Sequence, residues 1–195
     1  MNWYEKLSKY FPIEEMKSKK HMEMLLAEKG DVYIKDESDE HVMMYAEFDN
    51  FIFIDYVWVS ANTRGKGTGH KLMEKLKQKG KPIILEVEPV DYDDTDTAKR
   101  LHFYKREGFT HAQSIGYNRR SLATNEETSM EILYWSPQNE SEEEIYEKMK
   151  KMYEDIHTYK DEEIYGQAYQ PVEEVLSYDE DRESDNILET LQGKA

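Results

Sequence analysis

The nine residues Phe51-Ile-Phe-Ile-Asp-Tyr-Val-Trp-Val59 limit the fold more than any other stretch of this 195-residue chain. They are β-branched or aromatic almost throughout, with Asp55 as the single charge, so they read as a strand. Apolar and polar residues do not alternate, and a strand of this kind needs cover on both faces. Its place is therefore central in a sheet. Directly after it the chain breaks into Ser60-Ala-Asn-Thr-Arg-Gly-Lys-Gly-Thr-Gly69. It then resumes as a helix through Lys79, with Leu72 and Leu76 on one stripe and Gly80 at its end. Pro82–Val87 is the next strand. A strand–turn–helix–strand unit makes its two strands parallel neighbours.

Residues 1–30 read as helical, with Pro12 at a helix start, a patchy apolar face of Ile13, Met16, Leu25 and Leu26, and Gly30 at the close. Strands follow over Asp31–Lys35 and His41–Phe48, and Asp49-Asn50 is short enough for a tight hairpin into Phe51. An acidic loop, Pro89 to Asp96, leads to a helix ending before Gly108-Phe109, and strands near Thr110–Arg119 and Thr128–Trp135 finish the body. Ser141 to Glu144 is a capping box, after which Ile145, Met149, Met152 and Ile156 recur at helical spacing. The expected organisation is a body, 1–139, and an acidic helical C-terminal extension, 140–195, partly disordered beyond Lys160. The apolar stripe packs most simply on the same body. A partner or a second copy of the chain is the alternative.

The net charge of −16 is concentrated in that extension: 18 of the 42 acidic residues but 6 of the 26 basic ones lie from Glu140 onward. Without clustered cations the chain is not suited to nucleic acid. An acidic surface favours cationic partners such as amines. The absence of cysteine removes disulfides, thiolate metal sites and cysteine nucleophiles together. The six histidines lack ligand spacing, so no metal site is expected. No apolar run approaches the ~20 residues of a membrane span, and no basic-then-apolar leader opens the chain. A cytoplasmic protein without membrane contact is the expectation.

Arg64-Gly65-Lys66-Gly67-Thr68-Gly69 sits where the buried strand meets a helix N-terminus, with unpaired amides and the positive end of the peptide dipoles. Glycines let that backbone approach a ligand, and Arg64 and Lys66 add cations, a combination suited to a pyrophosphate. A P-loop spacing is absent, and a dinucleotide fingerprint fails because His70 stands at its third glycine. Glu86 and Glu88 do lie where a ribose-binding acid would be expected, which keeps a nucleotide-binding enzyme as an alternative.

Arg64, Gly67 and Gly69 fulfil R-x-x-G-x-G, which resembles the coenzyme A signature of the GNAT superfamily of N-acetyltransferases. Phe51–Val59 and Pro82–Val87 look like that family's fourth and fifth strands. Phe103-Tyr-Lys-Arg-Glu-Gly-Phe109 looks like its F-Y-x-x-x-G-F motif, and Met130–Leu133 like its closing strand. The resemblance covers roughly residues 12–136. It implies an α/β (α+β) fold: a mixed, largely antiparallel sheet with a splayed parallel strand pair, flanked by helices, here followed by the helical tail.

It further implies acetyl-CoA as cofactor and a cationic amine as substrate, with acetyl transfer by direct attack in a ternary complex. Backbone groups of Val57, Trp58 and Val59 would pair with the pantetheine arm, and Arg64, Gly65, Lys66, Gly67, Thr68, Gly69 and His70 would hold the pyrophosphate. Tyr104 aligns with the family's general acid. Leu85-Glu-Val87 resembles the ribosomal-protein N-terminal acetyltransferase branch, whose Glu acts on the incoming amine. Glu86 is therefore the expected base, its pKa raised towards neutrality by burial, with Glu88 and Asp55 as alternatives. Thr97 and Arg100 replace the N-x-x-A that often precedes the F-Y motif. A non-catalytic acyl-CoA-binding module, whose acidic tail recruits a basic partner, is the alternative function.

Overall fold

β3 (Ile52–Val59) does lie inside an eight-stranded sheet in the computed structural model, which describes residues 1–192. The other strands are β1 (Tyr33–Glu37), β2 (His41–Glu47), β4 (Ile83–Val87), β5 (Thr110–His111), β6 (Ile115–Arg120), β7 (Glu127–Trp135) and β8 (Leu176–Tyr178). They run in the order β1-β2-β3-β4-β7-β6-β8, with β5 also on β7. All pairings are antiparallel except β3 with β4. The crossover between those two carries α3 (Thr68–Lys77). This is the mixed, largely antiparallel architecture expected from the sequence.

Helices cover both faces, as the continuous apolar run of β3 requires. On one face α1 (Trp3–Tyr10), α2 (Lys19–Glu28) and α5 (Glu142–Met152) pack Leu7, Met22, Leu25, Ile145 and Met149 against Phe53, Tyr33 and Tyr117. On the other, α3 and α4 (Thr95–Arg106) pack Leu72, Met73, Leu76 and Leu101 against Ile52, Ile54, Ile83 and Leu85. None of the described helices is long and apolar enough to cross a membrane.

The N-terminal segment differs from its expectation. Two helices replace one: Ser18 caps α2 by accepting from the His21 amide, while Pro12 opens only the short 3-10 turn Ile13–Glu15. That turn carries Glu15 to the mouth of the sheet. The strand expected over Thr110–Arg119 is interrupted at Ala112–Ser114, where Glu142 accepts from the Gln113 and Ser114 amides.

The C-terminal segment shares the body's core. Ile145, Met149, Met152 and Ile156 are all fully buried, in the same cluster as Phe53. After α5 a π-type turn, Tyr153–His157, shifts the helical register and turns His157 inward, with its ring 5.6 Å from that of Phe53. Two short helices, α6 (Asp161–Tyr165) and α7 (Val172–Val175), lead to β8, which pairs with β6. The chain then crosses to the opposite face, where Leu188 is buried beside α4 and Lys105 donates to its carbonyl at 2.9 Å.

Candidate active site

The parallel pairing of β3 with β4 covers three positions, Ile52–Ile83, Phe53–Ile84 and Ile54–Leu85, and stops there. The cause lies on the other edge of β3. Opposite β2, Met44 pairs with Tyr56 and Tyr45 with Ile54, leaving Asp55 as an extra residue. Such a β-bulge bends its strand and sharpens the local twist. It bends β3 where contact with β4 ends, so the two strands diverge. A cavity of about 440 Å³ fills the wedge.

Most residues expected to bind the cofactor lie in this wall. Val57 and Val59 line it from β3, and Arg64, Gly65, Gly67, Thr68, Gly69 and His70 line its mouth. Trp58 points to the opposite face, where Lys6 Nζ lies 5.3 Å from its ring centre, and Lys66 is exposed outside the wall. Gly67 is the N-cap of α3 at φ +84°, a conformation that favours glycine. It offers no capping side chain, so the first-turn amides of α3 stay available at the cavity mouth. Gly69 serves packing instead: a Cβ there would stand 3.1 Å from the Phe103 ring, so its absence lets α3 and α4 approach closely.

Tyr104 lines the same cavity from α4 and is 9% exposed. Burial raises its phenol well above the ordinary range, so it carries its proton at any physiological pH. Thr97 is also in the wall, but its hydroxyl is engaged by the acidic loop, accepting from the Asp91 amide at 2.9 Å.

The carboxylates divide by their partners. Asp55 Oδ1 accepts from Lys17 Nζ at 2.7 Å and Oδ2 from the Tyr33 hydroxyl at 2.6 Å, so both oxygens are occupied. Burial lowers the pKa of Lys17, and Asp55 opposes that shift. Glu86 Oε1 accepts from the Tyr117 hydroxyl and from His157 Nε2, the latter at 2.6 Å, while Oε2 lies 3.5 Å from Arg119 Nε. The expected rise in the Glu86 pKa is not what these surroundings produce. Desolvation does push the carboxyl up, but His157, Arg119 and Tyr117 together hold it well below the usual carboxylate range. Burial, with Lys17 and Arg119 nearby, lowers the His157 pKa, so neutral His157 donates from Nε2.

Glu15 was not singled out in the sequence and is the exception. Its carboxyl lines the cavity, with Oε2 3.9 Å from Arg100 and Oε1 buried without a hydrogen-bond partner. Desolvation and the neighbouring Glu88 carboxylate raise its pKa to about 8, against the opposing pull of Arg100 and Arg119. Tyr56 fixes the backbone here, donating to the Glu15 carbonyl at 2.7 Å and accepting from the Lys17 amide at 2.8 Å.

Near the mouth, His70, Glu74 and Glu107 bring potential ligand atoms within 4.8 Å of one another, with Lys77 Nζ already 3.1 Å from Glu107.

Residues 22–111 match the family description "Acetyltransferase (GNAT) domain". "Putative acetyltransferase YjbC" of Bacillus subtilis (strain 168) is 65% identical over 191 residues, covering 98% of this chain and all of that one. Among solved structures, a "Putative acetyltransferase from GNAT family" from Bacteroides thetaiotaomicron superposes with a TM-score of 0.61 at 23% identity, over 84% of this chain and 90% of that one. The wedge, the uncapped helix mouth and a relative this close along the whole chain agree: the protein belongs to the GNAT superfamily of acetyl-CoA-dependent N-acetyltransferases.

Proposed function

We propose that the chain transfers an acetyl group from acetyl-CoA directly to a primary amine, with both substrates held in the cavity between β3 and β4. The observation that carries this reading is the end of β3–β4 pairing at Ile54–Leu85, which leaves the Val57–Val59 stretch of β3 without a strand neighbour on its β4 side. Those backbone groups serve the pantetheine arm and the thioester carbonyl, where preorganised donors are worth a few kcal/mol in the barrier. The amides from Gly65 to His70 take the pyrophosphate at the α3 N-terminus, with Arg64 and Lys66 supplying charge. Confining thioester and amine to one cleft adds the proximity advantage. Tyr104 faces the same space with its proton retained and delivers it to the departing sulfur. Glu86, held as an anion by two donors, Tyr117 and His157, and by the facing charge of Arg119, keeps β4, β6 and the C-terminal segment in register.

Titration calorimetry with acetyl-CoA, and thiol release from acetyl-CoA in the presence of spermidine, tyramine, a lysine-containing peptide or an alanine-initiated peptide, test the reading. Binding with thiol release for at least one amine is expected. Absence of binding heat at micromolar protein refutes it. Binding of NAD or ATP in competition with acetyl-CoA would favour the nucleotide alternative.

A further inference from the structure

We propose that Glu15, from the turn between α1 and α2, is the group that takes the proton from the incoming amine. The inference rests on the acetyl-transfer reading and supplies its missing base. Of the carboxylates around the wedge, Asp55 has both oxygens bonded, and Glu86 is surrounded by Tyr117, His157 and Arg119. Asp55 has no unbonded oxygen, and His157, Arg119 and Tyr117 hold Glu86 below the ordinary carboxylate range, so it gives up a proton rather than keeping one. Glu15 differs: Oε1 is buried and meets no donor, while Oε2 has Arg100 at 3.9 Å, beyond hydrogen-bond range.

Its position is set rigidly, because Tyr56 holds the backbone on either side of Met16. It also stands between two spaces. One is the 440 Å³ wedge, where Tyr104 lies on α4. The other is a polar chamber of about 20 Å³ behind it, walled by Lys17, Asp55, Glu86, Arg119 and His157. That chamber has roughly the volume of one water molecule. Among the described residues, the three buried side-chain polar atoms without partners, Glu15 Oε1, Arg119 Nε and His157 Nδ1, all belong to residues that line it.

The charges facing Glu15 are mixed. Glu88, beyond β4, disfavours its ionisation, whereas Arg100 of α4 and Arg119 of β6 favour it, and burial decides the balance towards the protonated form. An ammonium arriving in the wedge favours the carboxylate, which then accepts the ammonium's own proton. The freed nitrogen lone pair adds to the acetyl carbon and the C–S bond breaks. The sulfur takes the Tyr104 proton, and the second nitrogen proton restores Tyr104. The resting proton of Glu15 leaves for solvent when the ammonium binds and the ammonium's proton replaces it, so one ammonium and one thioester give one amide, one thiol and one proton.

The full-length chain and its Glu15→Gln variant decide the matter through the pH profile of thiol release from acetyl-CoA, with water alone and with each of the four amines. Wild type should gain rate through an ionisation near pH 8. Glu15→Gln should lose at least a hundredfold in kcat together with that ionisation, at unchanged acetyl-CoA affinity. Glu88→Gln should move the ionisation to lower pH by about one unit. In parallel, ¹³C-carboxyl NMR of glutamate-labelled protein should show one signal titrating near pH 8 that is missing from Glu15→Gln. Thiol release with the same profile in both proteins overturns the role of Glu15 and leaves acetyl transfer standing. Acetyl-CoA binding without thiol release in wild type, or an ordinary carboxylate titration at Glu15, also overturns it. Absence of acetyl-CoA binding refutes the underlying reading itself.

Discussion

Replacing Glu86 by Gln separates an anchoring role from a proton-accepting one. Gln keeps the volume and one acceptor oxygen, which still receives the Tyr117 hydroxyl and the His157 Nε2–H. Its amide nitrogen, however, turns a donor towards Arg119 Nε, which now stands 3.5 Å from Glu86 Oε2. Arg119, whose side chain is 8% exposed, then loses its nearest counter-charge. Removing one partner of a buried ion pair costs about 3–5 kcal/mol, and the retained hydrogen bonds place Gln near 3. For a chain of this length each kcal/mol shifts Tm by about 2–4 °C, so Tm should fall by roughly 6–12 °C. The Glu86 carboxyl is lowered in the folded state, so its stabilisation is complete above the unfolded carboxylate pKa and is lost as the pH falls through the folded one. The difference between wild type and variant should therefore be flat from pH 6 to 8 and shrink in acid. Thermal unfolding by circular dichroism at several pH values measures it, alongside thiol release at a temperature where both proteins are folded. An unchanged Tm with turnover reduced by two or more orders of magnitude would show that Glu86 is the base and refute the anchoring argument.

Tyr104→Phe should lower turnover about a hundredfold while calorimetry finds acetyl-CoA affinity within twofold, because the ring keeps its packing and only the hydroxyl is lost. Gly69→Val should weaken acetyl-CoA binding about tenfold by calorimetry, since the added side chain must displace the Phe103 ring and widen the α3–α4 contact. A chain ending at residue 139 should show no cooperative thermal transition, because it loses Ile145, Met149, Met152 and Ile156 from the core cluster and β8 from the sheet.

What was legible in the sequence was local. The apolar run of β3, the glycine turn with its following helix, and the capping box at Ser141 are all written in residues adjacent along the chain, and the structure keeps each within a residue or two. The wedge was legible only through resemblance. Asp55 stands out as the one charge in the apolar run, but nothing there says that it is the extra residue of a bulge. Glu86 was visible on its strand, but its titration was not, because the donors that set it lie 31 to 71 residues further on. Glu15 left no signal. It sits in a turn without periodicity, between helices that read as one, and its importance comes from Glu88 and Arg100 brought to it by the fold. His157 follows the Ile156 stripe position, and a regular helix gives no warning that the π-type turn will swing it inward.

The brace behind the wedge also has a consequence for how the molecule is made. Chains emerge from the ribosome N-terminus first, and their early parts can begin folding before the rest exists. Here the strands that diverge around the cavity are complete by Val87, yet the imidazole that closes the chamber behind them arrives only at His157. Until then Glu86 lacks one of its two hydrogen-bond donors, and the core cluster that Ile156 completes is unfinished. The last fifth of the chain is thus the step at which a half-assembled sheet becomes an enzyme.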